Sequence, residues 1–146
     1  MKHFTLIATL LFLLIFSAKS QSIKLDYFTT VPATIKNCGA LFSYDSVALA
    51  PKKYILLTDF QNIGLIKISG KQINLQLGET KTVGTTNIMN YKGGGYTVIL
   101  SYVTDKHVGE FDMESGTIQI SKGNQKSTIK IHGKSGCDES KQEGNN

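Results

Sequence analysis

The chain has 146 residues, a formal net charge of +5, no Trp and only two cysteines. It also contains no Arg, and because Arg is the usual bidentate partner of phosphate and guanine, this composition argues against nucleic-acid binding. Two of the sixteen basic residues, Lys2 and Lys19, lie in an N-terminal segment that we expect to be removed, and the remaining fourteen against eleven acids leave a charge of +3.

Residues 1–20 have the pattern of a secretory signal peptide. Lys2 and His3 precede an apolar run over residues 4–16, and small residues, Ala18 and Ser20, stand at the third and the last position before the expected cut. A basic start, a short apolar core and small residues before a cut are the parts of such a signal. We expect cleavage after Ser20 and a secreted or periplasmic protein. No later stretch is apolar enough to span a membrane.

Residues 21–137 are expected to form a single all-β domain. Thr, Ile, Val, Leu, Tyr and Gly dominate this part, and almost no window places apolar residues at helical spacing. The pattern predicts an antiparallel barrel or sandwich of seven or eight strands. The polar tail over residues 138–146 is expected to be disordered.

The expected elements follow the apolar alternation along the chain. They are a strand or helical turn over residues 40–50, strands over 54–60, 63–69, 73–77, 87–91 and 96–104, and a final hairpin built from strands around 117–121 and 128–132. Residues 78–86 are interpreted as a polar link. Turns are expected at Ser69-Gly70-Lys71 and at Lys122-Gly123-Asn124-Gln125.

Cys38 and Cys137 bracket the predicted strands. In an exported chain a distant pair of this kind predicts one structural disulfide rather than catalytic thiols. The bridge would tie the start of the domain to its end.

The acidic and histidine residues give little support for catalysis or metal binding. Glu110, Asp112 and Glu114 alternate near Asp105 and His107, which predicts a solvated acidic edge, with a cation site as the alternative. His107 and His132 lack the spacing of zinc ligands, so no cofactor or metal is expected. No nucleophile elbow is present, and we predict that the protein is not an enzyme.

The string Gly93-Gly94-Gly95, between Tyr91 and Tyr96, is the most unusual local feature. Phosphate-binding glycines lie between a strand and a helix, whereas a strand follows here. The glycines are typical of a turn or bulge that needs a positive φ. Between two tyrosines they also form a candidate recognition loop, since tyrosine gives contact area at low entropic cost.

The last hairpin carries a family resemblance. The stretch from Ser121 through Lys122 and Gly123 to Thr128, followed one strand later by Cys137, resembles the Ser-Lys-Gly-Asp-Glu-x-Thr stretch of periplasmic inhibitors of c-type lysozyme. The resemblance implies a small exported barrel with an early cysteine bridged to a late one, and it implies that Lys122 enters the lysozyme cleft. The Gly-Gly-Gly-Tyr string ending at Tyr96 departs from the family, because it has no serine in the position of the family's Ser-Gly-x-x-Tyr loop and lies farther from the turn.

The sequence therefore predicts an exported, non-enzymatic binding domain that acts through surface loops. The most specific form of this prediction is that its partner is a lysozyme-like protein. The predicted binding residues are Tyr91, Gly94, Gly95, Tyr96, Lys122 and Gly123. Two alternatives stay open: a small barrel that carries an apolar ligand, and a structural cell-surface protein. The sequence gives no oligomeric state.

Overall fold

The computed structural model describes residues 22–36, 38–49 and 53–137. Within them, eight antiparallel strands form a closed barrel in which each strand pairs with its neighbours in the chain and the last pairs with the first. The predicted all-β fold is confirmed. The strands are β1 Cys38–Ser43, β2 Leu56–Thr58, β3 Ile63–Ile68, β4 Lys71–Val83, β5 Thr86–Gly93, β6 Tyr96–Val108, β7 Phe111–Lys122 and β8 Gln125–Cys137.

The helical content is small. A single turn of α-helix, α1 (Ala33–Lys36), precedes β1, and a 3₁₀ turn (Val47–Leu49) follows it, so the ambiguous stretch over residues 40–50 holds both a strand and a helical turn. None of the described helices has the length and apolar character needed to cross a membrane. The predicted signal peptide over residues 1–20 and the predicted tail over residues 138–146 lie outside the described residues.

Successive strands run in opposite directions, so the connections alternate between two ends of the barrel. One end carries the turns that follow β3, β5 and β7, and we call it the Lys122 end. The other end carries the connections after β2, β4 and β6 together with the bridge between Cys38 and Cys137, and we call it the disulfide end. These two cysteines lie directly opposite each other on β1 and β8, which confirms the predicted bridge.

The interior of the barrel is filled with side chains. Inward positions on the strands alternate with outward ones, as the pleat requires, and the inward apolar residues form one packed cluster. Fully buried members include Phe42, Leu56, Ile66, Leu75, Tyr91, Leu100, Ile118, Ile120 and Ile131.

The segment before the barrel covers both an end and a side of it. At the Lys122 end, Ile23 and Leu25 join the interior cluster, and the backbone N–H of Ile23 donates to Ser127 Oγ at 2.6 Å. Farther along, Phe28 and Ile35 pack on the outer face of the first strands and form a second apolar cluster there. The N-terminal segment thus closes the Lys122 end of the barrel and adds a layer outside it.

The strand over residues 71–83 corrects one prediction. Residues 78–83 were interpreted as part of a polar link, but β4 continues through them to Val83 and pairs with β5. A register shift between Leu77 and Thr80 marks a bulge in this pairing. Every side chain from Gly78 to Val83 is exposed, so this part of the strand has no buried face and no apolar alternation to reveal it.

Candidate functional site

Three two-residue turns meet at the Lys122 end of the barrel. Their central residues are Ser69-Gly70, Gly94-Gly95 and Gly123-Asn124. Gly94 and Gly95 have φ values of 58° and 80°, and a hairpin turn with two positive φ values is the type I′ turn that glycine favours. The predicted turn at these glycines is confirmed, and it brings β6 back along β5 with Tyr96 as its first residue.

Gly93, the glycine before this turn, allows close packing of two strands instead. A Cβ on Gly93 would collide with the backbone carbonyl of Asn74, so the absence of a side chain lets β5 approach β4 closely. A Cβ on Gly94 would lie 2.9 Å from Ile73 Cγ2. Gly93 and Gly94 thus allow the turn to lie close to the β3–β4 hairpin.

A groove lies between these hairpins, and we call it the Lys122 groove. Its volume is about 460 Å³. Ile68 and Ile73 give it an apolar floor that packs on the interior cluster. Its lining consists of Ile68, Ser69, Lys71, Gln72, Ile73, Asn74, Gly94, Tyr96 and Lys122.

Lys122 and Tyr96 form the central contact of the groove. Lys122 is the last residue of β7 and Tyr96 the first of β6. The Lys122 ammonium lies over the tyrosine ring, with Nζ 4.4 Å from the ring centroid, which is within the range of a cation–π interaction. A Cβ on Gly95 would lie 3.6 Å from Lys122 Cε, so the lysine stem runs along the glycine turn.

The groove is positively charged. Lys71 and Lys122 both line it, and its lining contains no carboxylate. Asp26 holds the turn beside the groove, because its Oδ2 accepts the N–H of Gly70 at 2.6 Å. On β4 the Gln72 amide donates to Asn74 Oδ1 at 3.0 Å. The surface therefore offers two ammonium groups and two amides around an apolar floor.

The structure places the predicted binding residues in two different environments. Gly94, Tyr96 and Lys122 line the groove, Gly95 lies in the turn beside Lys122, and Gly123 is exposed at the adjacent turn. No sequence pattern had indicated the part of the lining that the β3–β4 hairpin supplies.

Tyr91 lies elsewhere. It is fully buried inside the barrel, and its hydroxyl shares a 2.7 Å hydrogen bond with Thr58 Oγ1. Burial raises the pKa of this phenol well above its usual range. Tyr91 is a core residue and takes no part in the groove.

The acidic residues of the last third do not form the solvated edge that was predicted. Glu110 lies in the exposed β6–β7 turn, and Asp112 forms an ion pair with His107. Glu114 instead points into the barrel, where it is 3% exposed. The described residues contain no group of three or more His, Cys, Asp or Glu placed to hold a metal ion. The interpretation of Glu114 as a solvated residue is wrong because its strand position faces the core.

This chain matches no known protein family, no curated protein and no solved structure.

Proposed function

We propose that this protein acts by binding an acidic surface of a protein partner in the Lys122 groove. The observation that carries the proposal is the convergence of Lys122 with the glycine turn and Tyr96, which come from different hairpins and meet on one open surface. In the most specific form of this proposal, the partner is a c-type lysozyme, and Lys122 enters the cleft that holds the catalytic carboxylates. That form rests on the resemblance of the Lys122 turn to the lysozyme inhibitors.

The electrostatics of the groove support an acidic partner. Lys71 and Lys122 meet no carboxylate in the lining, so a partner that supplies one would gain a charge-assisted hydrogen bond without displacing an internal ion pair. A positive patch facing a negative one also speeds diffusional encounter.

Binding in the groove should also cost little conformational entropy. Lys122 and Tyr96 belong to paired strands rather than to a long loop, and the ring beneath the ammonium restricts the lysine side chain before any partner arrives. A binding group that is already positioned loses less conformational entropy on association.

The filled interior favours a surface site over a ligand held within the barrel. Tyr91, Phe42 and the buried Ile and Leu residues occupy the space between the strands. An apolar ligand would have to displace side chains that are packed at the density of a protein core.

We propose further that the protein works outside the cytoplasm. Disulfides persist in oxidising compartments, and the bridge between Cys38 and Cys137 is consistent with one. The N-terminal signal expected from the sequence gives the route.

The test is inhibition of cell-wall lysis by a c-type lysozyme with the purified protein. We expect inhibition by the wild type and a loss of at least tenfold for Lys122→Ala, because the variant removes the cation that would meet the catalytic carboxylates. Lys126→Ala is the matched control, since Lys126 is an exposed lysine on the other strand of the same hairpin and does not line the groove.

Two results would count against the proposal in different ways. Absence of inhibition by the wild type at micromolar concentration would remove the lysozyme form. Inhibition that Lys122→Ala and Lys126→Ala weaken equally would remove the groove as the binding surface.

A further inference from the structure

Glu114 occupies an unusual position for a carboxyl group. It lies on β7 near the disulfide end, directly opposite Thr104 on β6 and Gly133 on β8. Its side chain is 3% exposed. A buried carboxylate is costly unless it is paired or fully hydrogen-bonded, so the partners of Glu114 decide which protonation state this site favours.

Only one of the two carboxyl oxygens of Glu114 has a hydrogen-bond partner among the described residues. Ser135 Oγ donates to Oε1 at 2.6 Å. The other oxygen, Oε2, is buried and has no hydrogen-bond partner in the described part of the chain. An ionised Glu114 would therefore leave negative charge on an unsatisfied buried atom, whereas the neutral acid would leave only a weakly polar one.

The surroundings of Glu114 are aromatic on one side. Phe42 packs against Gly133, where a Cβ would collide with its ring. The rings of Phe60 and Tyr102 stack with centroids 5.5 Å apart, and Phe42 contacts both. Burial, and then the charge of Glu114, raises the pKa of Tyr102 to about 12.

The charged groups near Glu114 do not neutralise it. From β6 and β7 come Asp105 and Asp112, both acidic, and Asp112 is already paired with the exposed His107. The lysines of this region, Lys106 and Lys134, pair with Met113 on the opposite face of the sheet. β1 contributes the uncharged Phe42.

We propose that the disulfide end of the barrel is a pH-dependent closure. It is packed shut while Glu114 carries a proton, and it opens locally, with separation of the β7 and β8 ends around the intact Cys38–Cys137 bridge, when Glu114 loses it.

The titration range agrees with this geometry. Burial raises the pKa of Glu114 from 4.5 to about 7, the hydrogen bond from Ser135 opposes the rise, and the charges of Asp112 and Asp105 add to it. In an opened end the carboxyl would be hydrated and its pKa would return toward the lower value. As the pH rises through this interval the open form ionises while the closed form stays protonated, so opening becomes easier by up to tenfold per pH unit. Above the higher pKa both forms are ionised and the effect is constant.

The test is amide hydrogen exchange measured by mass spectrometry at pH 5.5 and pH 8, corrected for the intrinsic exchange rate. In the wild type we expect the opening constant of peptides from the start of β7 and the end of β8 to rise on the order of 30-fold between these pH values. Glu114→Gln keeps the shape of the neutral acid, so its opening constant should change less than about threefold. Peptides from the Lys122 end should be unaffected in both proteins.

Two further measurements separate Glu114 from its neighbours. His107→Asn removes the imidazole that contacts Asp112, and it should leave the wild-type pH dependence intact. A carbon NMR titration of labelled wild-type protein should give Glu114 a midpoint near neutrality, which Ser135→Ala should raise by removing the bond that favours the ionised form.

A Glu114 midpoint below pH 5 would overturn the proposal even if the glutamine variant fails to fold. Equal pH dependence in the wild type and Glu114→Gln, or loosening spread evenly over the barrel, would overturn it as well.

Discussion

Lys122 lies over the ring of Tyr96 with its Nζ 4.4 Å from the ring centroid. A cation over an exposed aromatic face contributes about 0.5–1 kcal/mol. We expect a double-mutant cycle with Lys122→Met and Tyr96→Leu to give a coupling energy of about that size in urea unfolding. Lys126→Met with Tyr96→Leu is the control cycle. A coupling no larger than the control would mean that the two groups do not interact in solution.

The buried Thr58 side chain takes part in three hydrogen bonds. Its hydroxyl donates to the Ile63 carbonyl at 2.9 Å, accepts the Phe60 N–H at 3.0 Å and bonds the Tyr91 hydroxyl at 2.7 Å. The Tyr91 hydroxyl also lies 3.5 Å from Met89 Sδ, so either hydroxyl can donate in the bond between Tyr91 and Thr58. Thr58→Val should lower the free energy of unfolding by about 2–4 kcal/mol because it breaks all three bonds, and Tyr91→Phe by about 1 kcal/mol. Urea unfolding that ranks the two variants in the reverse order would contradict this expectation.

Leu25 anchors the N-terminal segment in the barrel. It is 1% exposed within the interior cluster, and the Tyr44 hydroxyl holds its backbone by donating to the carbonyl at 2.8 Å. Leu25→Ala should lower the free energy of unfolding by about 3 kcal/mol, since it deletes buried methyl groups and leaves a cavity. The adjacent exposed Lys24 is the matched control, and Lys24→Ala should change the value by less than about 0.5 kcal/mol. Equal effects would mean that the segment is not docked.

The disulfide should stabilise mainly the pairing of β1 with β8, which it joins. Cys38 and Cys137 are 99 positions apart, and a closed loop of about 100 residues stabilises by about 4.7 kcal/mol in the chain-entropy model. We expect the double variant Cys38→Ala/Cys137→Ala to lose about that much free energy of unfolding. Hydrogen exchange should then increase first along the pairing of β1 with β8. Earlier loss of protection in the β5–β6 hairpin would show that the bridge stabilises a different region.

The apolar alternation in the sequence predicted strands and their inward faces where apolar side chains fill the buried face. Ile73, Leu75 and Leu77 are an example, since all three belong to the interior cluster or pack on it. Residues 78–83 were not predicted as a strand because an exposed strand has no apolar alternation. Glu114 was mispredicted for another reason, because alternation shows which residues share a face but does not show whether that face is exposed to solvent or buried.

The groove could be predicted only in parts. The Lys122 turn and the glycine turn before Tyr96 were visible as separate local signals. Their meeting with Lys71 and Asn74 depends on which hairpins turn at the same end of the barrel. That is a property of the strand order, which single-sequence patterns do not contain.

The seam between β1 and β8 also sets the order in which the molecule can assemble. The hairpins from β3 to β8 join strands that are adjacent in the chain, so each can form as soon as its own residues are present. β1 has no second partner until β8 arrives, and contacts between such distant residues carry the largest loop-closure cost. β1 therefore cannot complete its pairing before β8 has been synthesised, and we expect the barrel to close only after synthesis of the whole domain is complete.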